Sequence, residues 1–256
     1  MRHRRTLGRA VAMLALALAV PLAVSVPAGA AEYVPTQADH YAWLFRVADL
    51  SALVGLDAEP AITGRGDLDE RIRALAEARG YLLRPKADGD LVSVGRHRLQ
   101  PAAADGWREL ERAAKEAGVP LVLNSAYRSV ETQRATFVRV LGGRTTDEAI
   151  DRVLRYSAPP GYSKHQTGYA IDVRTPGGTI WGFGETAAYR WLAADDFANA
   201  KRFGFVPSYP PDGVPQGPEP EPWEFLWVGG QRIACGPTGC SPPAFTDPAA
   251  PGVFRR

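Results

Sequence analysis

The sequence predicts an α+β domain that follows an N-terminal export signal. Segments with helical spacing of apolar residues are mixed with short apolar or alternating segments typical of strands. These segments do not alternate regularly along the chain, which favours an α+β domain over a doubly wound sheet. Without its first 30 residues the chain retains about 226 residues, enough for one sizeable domain.

Residues 1–30 are predicted to be a signal peptide. Four arginines and an apolar run at 10–26 precede small residues at Ala28-Gly29-Ala30, where we expect cleavage. The alternative is an uncleaved anchor, but the run is shorter than the ~20 apolar residues of a spanning helix, and Pro21 interrupts it. We therefore expect a secreted, cell-wall or extracellular protein without stable membrane insertion.

The charge of the mature chain is close to neutral. Removing the four arginines of the signal leaves 26 basic residues against 28 acidic ones. Composition therefore gives no support for binding to nucleic acids or to anionic membranes.

The segment at 31–95 is predicted to be an N-terminal helical appendage. Apolar spacing predicts a helix over 36–54, and Asp67 with Glu70 resembles a capping box for a second helix that ends at Gly80. The run LVSV at 91–94 is consistent with a short strand.

The core elements are predicted from residue 96 onward. Helices are expected from Pro101 to just before Gly118 and at 130–141, 146–156 (from a Thr145 to Glu148 capping box) and 186–202. A strand that runs into a loop is expected at 119–129, further strands at 169–173 and 222–228, and a proline-rich loop at 207–222.

Cys235 and Cys240 enclose a turn-rich loop near the C-terminus. In an exported chain two such cysteines most simply form a disulfide, so residues 233–256 are expected to be a disulfide loop and a tail. A two-cysteine metal clamp is the alternative, although further ligands are missing nearby in the sequence.

The stretch SKHQTGYAID places His165 seven residues before Asp172, in a chain with only four histidines. Gly168 permits the bend that would let both side chains hold one metal ion. A solvated or hydrogen-bonded histidine is the alternative for this pair taken alone.

Three segments together resemble the D-alanyl-D-alanine carboxypeptidases of the VanY type. SAYRSVETQ resembles the substrate-arginine segment of that family, GYSKHQTGYAIDV its zinc segment, and EPWEFLWVG its closing segment, in the right order and over residues 96–230. The family belongs to the zinc-peptidase group that includes lysostaphin-like enzymes and the hedgehog domain. The resemblance implies one hedgehog/D,D-peptidase-like core domain at 96–232, with a small antiparallel sheet flanked by helices.

The resemblance also implies roles for individual residues. His165 and Asp172 would be metal ligands, Glu221 the general base for a metal-bound water, and Arg128 the cation for a substrate carbonyl or oxyanion. The expected substrate-binding residues are Tyr127, Gln133, Ser163 and Trp223. Without the motifs, Arg128 would be read as a surface ion pair and the glutamates as a solvated acidic stretch.

One position departs from the family pattern. The third ligand of the family is a histidine three residues after the base, and this chain has Glu224 there. If Glu224 binds the metal, one histidine and two carboxylates neutralise a divalent ion, which reduces its Lewis acidity and favours manganese or iron more than the family site does. If Glu224 does not bind, the site holds metal weakly or holds none.

The resulting prediction is a monomeric metallopeptidase that cleaves the terminal D-Ala-D-Ala bond of peptidoglycan stem peptides, with Zn²⁺ as the expected cofactor. The alternatives are a catalytically silent cell-wall peptide-binding protein without zinc, and an endopeptidase that cuts elsewhere in the stem or crossbridge.

Overall fold

Helices and small antiparallel sheets make up residues 36–47 and 52–230, the part of the chain that this computed structural model describes. The α-helices are α1 (Gln37–Val47), α2 (Gly66–Ala78), α3 (Pro101–Glu116), α4 (Val130–Leu141), α5 (Asp147–Leu154) and α6 (Ala187–Lys201). The strands are β1 (Leu53–Val54), β2 (Lys86–Ala87), β3 (Val92–Val94), β4 (His97–Leu99), β5 (Val122–Ser125), β6 (Ala170–Arg174), β7 (Phe205–Tyr209) and β8 (Glu221–Trp227). The predicted α+β class is confirmed.

The central sheet has four antiparallel strands in the order β5-β6-β8-β7. Strands β1 with β2 and β3 with β4 form two further two-stranded antiparallel ladders. Because β6 and β8 are the two inner strands, their facing residues are held by hydrogen-bonded neighbours on both sides.

The short strands β1 and β2 and the longer strands β4 and β7 have no predicted counterpart. The run 207–222, expected to be a loop throughout, begins with the last residues of β7. Strand β7 accepts Pro207 because it lies at an edge of the sheet, where the missing N–H of proline leaves no partner unsatisfied. Strand β4 pairs with β3 as a hairpin, so the predicted strand at 91–94 is one half of that hairpin.

Helix α1 differs from its prediction in length and helix α6 in continuity. Helix α1 ends at Val47, and Leu53–Val54 is a strand, so the predicted helix over 36–54 is too long. Helix α6 is interrupted at 194–197, where Asp195, Asp196 and Phe197 have positive φ angles, so it consists of two helical pieces joined by a kink.

The cap of α2 also differs from its prediction. Its N-cap is Arg65, which makes no side-chain cap hydrogen bond. Asp69, rather than Asp67 or Glu70, organises this end, because its carboxylate accepts hydrogen bonds from the backbone N–H groups of Ile62, at 2.9 Å, and Thr63, at 2.7 Å.

The core consists of two hydrophobic clusters, and the 31–95 segment contributes to both. Tyr41, Leu44 and Phe45 of α1 share the first cluster with α3 and the central sheet. In the second cluster, α2 contributes side chains such as Ile72 and packs against α4 and α5. The predicted boundary at residue 95 therefore does not separate two packing units among the described residues.

The predicted signal at 1–30 and the cysteines of the 233–256 segment lie outside the described residues. Among the residues that are described, no helix is long and apolar enough to cross a membrane.

Candidate metal centre

His165 lies in a short 3₁₀ turn, Lys164–Thr167, immediately before β6. The Ser163 hydroxyl caps the turn by accepting from the His165 backbone N–H, and Gly168 ends it at φ 77°. His165 Nδ1 is 2.6 Å from the Ala126 carbonyl oxygen. Because a carbonyl only accepts hydrogen bonds, Nδ1 bears the proton, and Nε2 is the nitrogen that faces the site.

Asp172 on β6 and Glu224 on β8 are direct cross-strand partners. Facing residues of an antiparallel pair project to the same side of the sheet, so the ladder itself brings the two carboxylates together. Asp172 Oδ1 lies 3.3 Å and Glu224 Oε2 lies 3.4 Å from His165 Nε2. Ligand atoms of all three side chains fall within 4.8 Å of one another, and all three residues are buried.

A strand irregularity turns Glu221 toward the same site. Residues three apart on a regular strand point to opposite faces of the sheet, so Glu221 and Glu224 would not be expected to converge. The register between β7 and β8 shifts between Pro207 and Tyr209, with Tyr209 paired to Glu221. This bulge lets Glu221 and Glu224 line one cavity.

Arg128 follows β5, where a one-residue shift in the register of β5 against β6 places Ser125 opposite Asp172. The Arg128 guanidinium donates to Gln133 Oε1 at 2.7 Å and to Ser125 Oγ at 3.2 Å. Gln133 in turn donates from Nε2 to the Ala158 carbonyl at 2.5 Å. These contacts fix the orientation of the guanidinium while leaving other N–H donors for a ligand.

These side chains line a cavity of about 250 Å³. Its lining includes Arg128, Gln133, Ser163, His165, Asp172, Glu221, Trp223 and Glu224, together with Trp181 and Tyr156, for which the sequence predicts no role. The Trp181 ring makes edge contacts with the rings of Trp223 and Tyr156. The site therefore has a polar floor and an aromatic wall.

Tyr127 is not among the described residues that line the cavity, in contrast to its predicted substrate-binding position. Its ring lies against the Arg98 guanidinium, 5.1 Å from the ring centroid, and its backbone N–H donates to the Arg98 carbonyl. Consecutive side chains in an extended segment point in opposite directions, and the neighbouring Arg128 points toward the cavity, so Tyr127 points away from it.

The electrostatics of the cluster favour opposite charges on His165 and its partners. Burial lowers the pKa of His165, but the charge of Asp172 and hydrogen bonds to Asp172 and Glu224 outweigh it and raise the pKa to about 9. Burial raises the pKa of Glu224, but the hydrogen bond and charge of His165 and the charge of Lys164 outweigh it, and the pKa falls to about 2. Burial, then the charges of Glu224 and Asp172, raise the pKa of Glu221 well above its ordinary value.

A sequence model of the VanY D-alanyl-D-alanine carboxypeptidase family matches residues 96–230, more than half of the chain. The chain belongs to the VanY family. The match covers every residue of the site described above, and it confirms the resemblance carried by the three motifs.

Individual relatives of this VanY-family chain include a D-alanyl-D-alanine carboxypeptidase of Enterococcus faecalis (strain ATCC 700802 / V583). It is 34% identical over 149 residues, which are 56% of this chain and 50% of the relative, so the chain spans about half the length of that protein. VanYB in complex with D-alanine-D-alanine is 29% identical, with a TM-score of 0.48, over 58% of this chain and 82% of that one. A VanY variant in complex with Zn(II) is 28% identical, with a TM-score of 0.49, over 58% and 84%.

The residues of the cluster fit a divalent metal ion. One imidazole nitrogen and two carboxylates form a donor set suited to zinc and to harder ions such as manganese. Asp172 Oδ1 is buried and, apart from the His165 ring at 3.3 Å, has no hydrogen-bond partner in the described residues, as expected for an oxygen reserved for a cation. His40 and His97 are not in the cluster, so Glu224 is the residue that stands where the family pattern has its third ligand.

Proposed function

We propose that this protein is a secreted metal-dependent peptidase that removes the terminal D-alanine from peptidoglycan stem peptides. The observation that supports it is the convergence of His165, Asp172 and Glu224 on one cavity that also holds Glu221 and Arg128. The proposal draws on the family membership of residues 96–230 and on the ligand of the related VanYB, which is D-alanine-D-alanine.

His165, Asp172 and Glu224 would hold the metal ion, Zn²⁺ in the first instance with Mn²⁺ or iron as alternatives. When bound, the ion supplies a Lewis acid that acidifies a water molecule and polarises the scissile carbonyl. The two carboxylates leave the site formally neutral, so we expect weaker acidification than at a site with two histidines and one carboxylate.

Glu221 is the proposed general base. Its carboxylate lines the cavity next to Glu224, and burial raises its pKa above the ordinary value, which makes it a better acceptor for a proton from water that it can return to the departing amine. Because it is buried among other carboxylates, its protonated form is stabilised, which helps the donation step.

Arg128 is the proposed anchor for substrate charge. Held by Gln133 and Ser125, its guanidinium presents a rigid planar set of donors to the terminal carboxylate or to the developing oxyanion. A cavity of about 250 Å³ suits the end of a short peptide. The remaining stem would then extend along the aromatic wall of Trp223 and Trp181.

A catalytically silent peptide-binding protein is the second candidate function. It is favoured by the position of His165 Nε2 between the two carboxylates, since a protonated imidazole there offsets one of their two negative charges without any metal ion. Metal analysis of protein purified without chelators separates the two functions. One tightly bound ion per chain supports the peptidase, and a folded chain that binds none supports the silent protein.

The peptidase is tested by measuring free D-alanine released from a stem peptide that ends in D-Ala-D-Ala, with zinc or manganese added. We expect release by the wild type and a loss of about 10²- to 10⁴-fold in Glu221→Gln. Glu219→Gln is the matched control, because Glu219 is paired with Arg79 outside the cavity and is expected to leave the rate unchanged. No release from folded wild-type protein under any metal would contradict the proposal, and cleavage at an internal bond would identify an endopeptidase.

A further inference from the structure

Lys164 is a buried cation next to the cluster, and neither the motif nor the proposed chemistry assigns it a role. Lys164 is only 1% exposed. Nζ donates to the Ser208 carbonyl at 3.0 Å, to Ser208 Oγ at 3.1 Å and to Gln216 Oε1 at 2.9 Å. It also lies 3.7 Å from the centroid of the Tyr209 ring. The ammonium is therefore fixed by strand β7 and by the loop that follows it.

The hydrogen bonds through Ser208 have a defined direction. An ammonium can only donate, so Ser208 Oγ accepts from Lys164 and must direct its own proton elsewhere. Ser208 Oγ lies 2.6 Å from Glu224 Oε1, which accepts that proton. Oε1 is thereby occupied, and Oε2 is left facing His165 Nε2 at 3.4 Å. The chain Lys164–Ser208–Glu224 thus distinguishes the two oxygens of the carboxylate.

The same chain offsets a charge. Glu224 stands where the family pattern has a neutral histidine, so this site holds one more buried negative charge, beside Asp172 and Glu221. Buried carboxylates are unfavourable without a compensating cation. Burial and the charge of Arg84 lower the pKa of Lys164 well below its ordinary value, and the charges of Glu224 and Glu221 oppose this shift. All the hydrogen bonds of Nζ go to oxygen acceptors, which stabilise the charged form.

We infer that Lys164 is a positioning residue that, through Ser208, orients Glu224 as a monodentate metal ligand and offsets the negative charge that this glutamate introduces. The inference rests on the metal site of the proposed function. It adds that the effect of Lys164 on metal binding depends on which residue occupies position 224. Lys164 is needed for metal binding when residue 224 is a glutamate, and is dispensable when it is a histidine.

The test is a double-mutant cycle on zinc affinity, measured with Zn²⁺ alone by competition against a chromogenic chelator. The proteins are the wild type, Lys164→Met, Glu224→His and the variant with both changes, with Lys115→Met on the exposed face of α3 as the matched control. We expect Lys164→Met to weaken zinc binding by at least tenfold in the wild-type background and by no more than about twofold beside Glu224→His. Lys115→Met is expected to leave zinc affinity unchanged in both backgrounds.

A merely structural role of Lys164 would weaken binding equally in both backgrounds, and that result would overturn the inference, as would no weakening in either. If Lys164→Met does not fold, Ser208→Ala takes its place, because it removes the hydrogen bond to Glu224 and is expected to show the same dependence on residue 224. Zinc binding by the wild type without this coupling refutes only the present inference. Failure of the folded wild type to bind zinc refutes the proposed metal site as well.

Discussion

Three buried carboxylates lie near the His165 imidazole and near the cationic side chains of Arg128 and Lys164. The third carboxylate is present because this chain has Glu224 where the family pattern has a histidine. Asp172, Glu221 and Glu224 are each less than a tenth exposed. In the absence of metal, the imidazolium of His165 lies within ion-pairing distance of two of these carboxylates, those of Asp172 and Glu224. A metal ion that occupies the site must therefore displace a proton from His165 in addition to the water of its own hydration shell.

At the residue scale we predict that His165 titrates at about pH 9 in the metal-free protein, well above its ordinary value of 6.5. The stabilisation from this ion-paired imidazolium is fully present below about pH 6.5 and is lost as the pH rises through about 9. An NMR titration of the ring measures the pKa, and denaturant unfolding measures the stability. Asp172→Asn, which removes the leading charge, should return the pKa towards or below 6.5.

A His165 pKa at or below its ordinary value in the metal-free wild type would contradict this prediction. The same pKa predicts that zinc affinity rises with pH up to about 9, because fewer imidazoliums must lose a proton. The proton released on zinc binding at pH 7 should make the measured binding enthalpy depend on the ionisation enthalpy of the buffer.

Much of the site at this scale could be predicted from the sequence, and the parts that could not depend on strand register. The motifs identify His165, Asp172, Glu221 and Glu224, but the convergence of the two glutamates requires the bulge opposite Tyr209, which has no sequence signal. Lys164 stands within the quoted motif, yet a lysine is ordinarily expected to be exposed, so its burial could not be predicted.

At the scale of single elements, helix ends determine how the segments before the site are held. Helix α5 begins at Asp147 after Thr146, whose hydroxyl accepts from the Ala149 backbone N–H. The sequence predicts a cap one residue earlier, at Thr145, because Glu148 would then complete a capping box. Two adjacent threonines make the choice ambiguous without coordinates, whereas the position of the helix itself follows from its apolar spacing.

We predict that Thr146→Ala destabilises the protein by about 1 kcal/mol, because it removes the acceptor for the first turn of α5. Thr145→Ala is the matched comparison and should change stability by less than about 0.5 kcal/mol, as its side chain makes no cap. The free energy of unfolding from denaturant titration measures both. An equal loss in the two variants, or a larger loss at Thr145, would place the cap where the sequence suggested.

On the scale of the whole molecule, the N-terminal segment packs into the same core as the half that contains the candidate metal centre. Leu44 of α1 is 3% exposed in the cluster that supports the central sheet, and Ile72 of α2 is fully buried in the cluster beneath α4 and α5. The sequence suggested an appendage because the family motifs begin only at residue 96. The family motifs identify the residues of the site. They do not identify the other segments whose apolar faces pack against the domain that carries it.

We predict that Leu44→Ala and Ile72→Ala each destabilise the protein by about 2–5 kcal/mol and lower the midpoint of one shared unfolding transition. Val138→Ala is the control, because Val138 is 39% exposed on α4 and should change stability little. Calorimetry measures the transitions. A separate low-temperature transition that alone responds to Leu44→Ala would mean that the segment unfolds independently of the rest.

Anomalous diffraction at the zinc absorption edge, from crystals grown with zinc, shows whether His165, Asp172 and Glu224 together bind one metal ion. We expect one peak within about 2.0–2.2 Å of His165 Nε2 and of a carboxylate oxygen from each of Asp172 and Glu224. A zinc ion bound by His165 and Asp172 with Glu224 beyond bonding distance, or no zinc among these three side chains, would contradict this expectation.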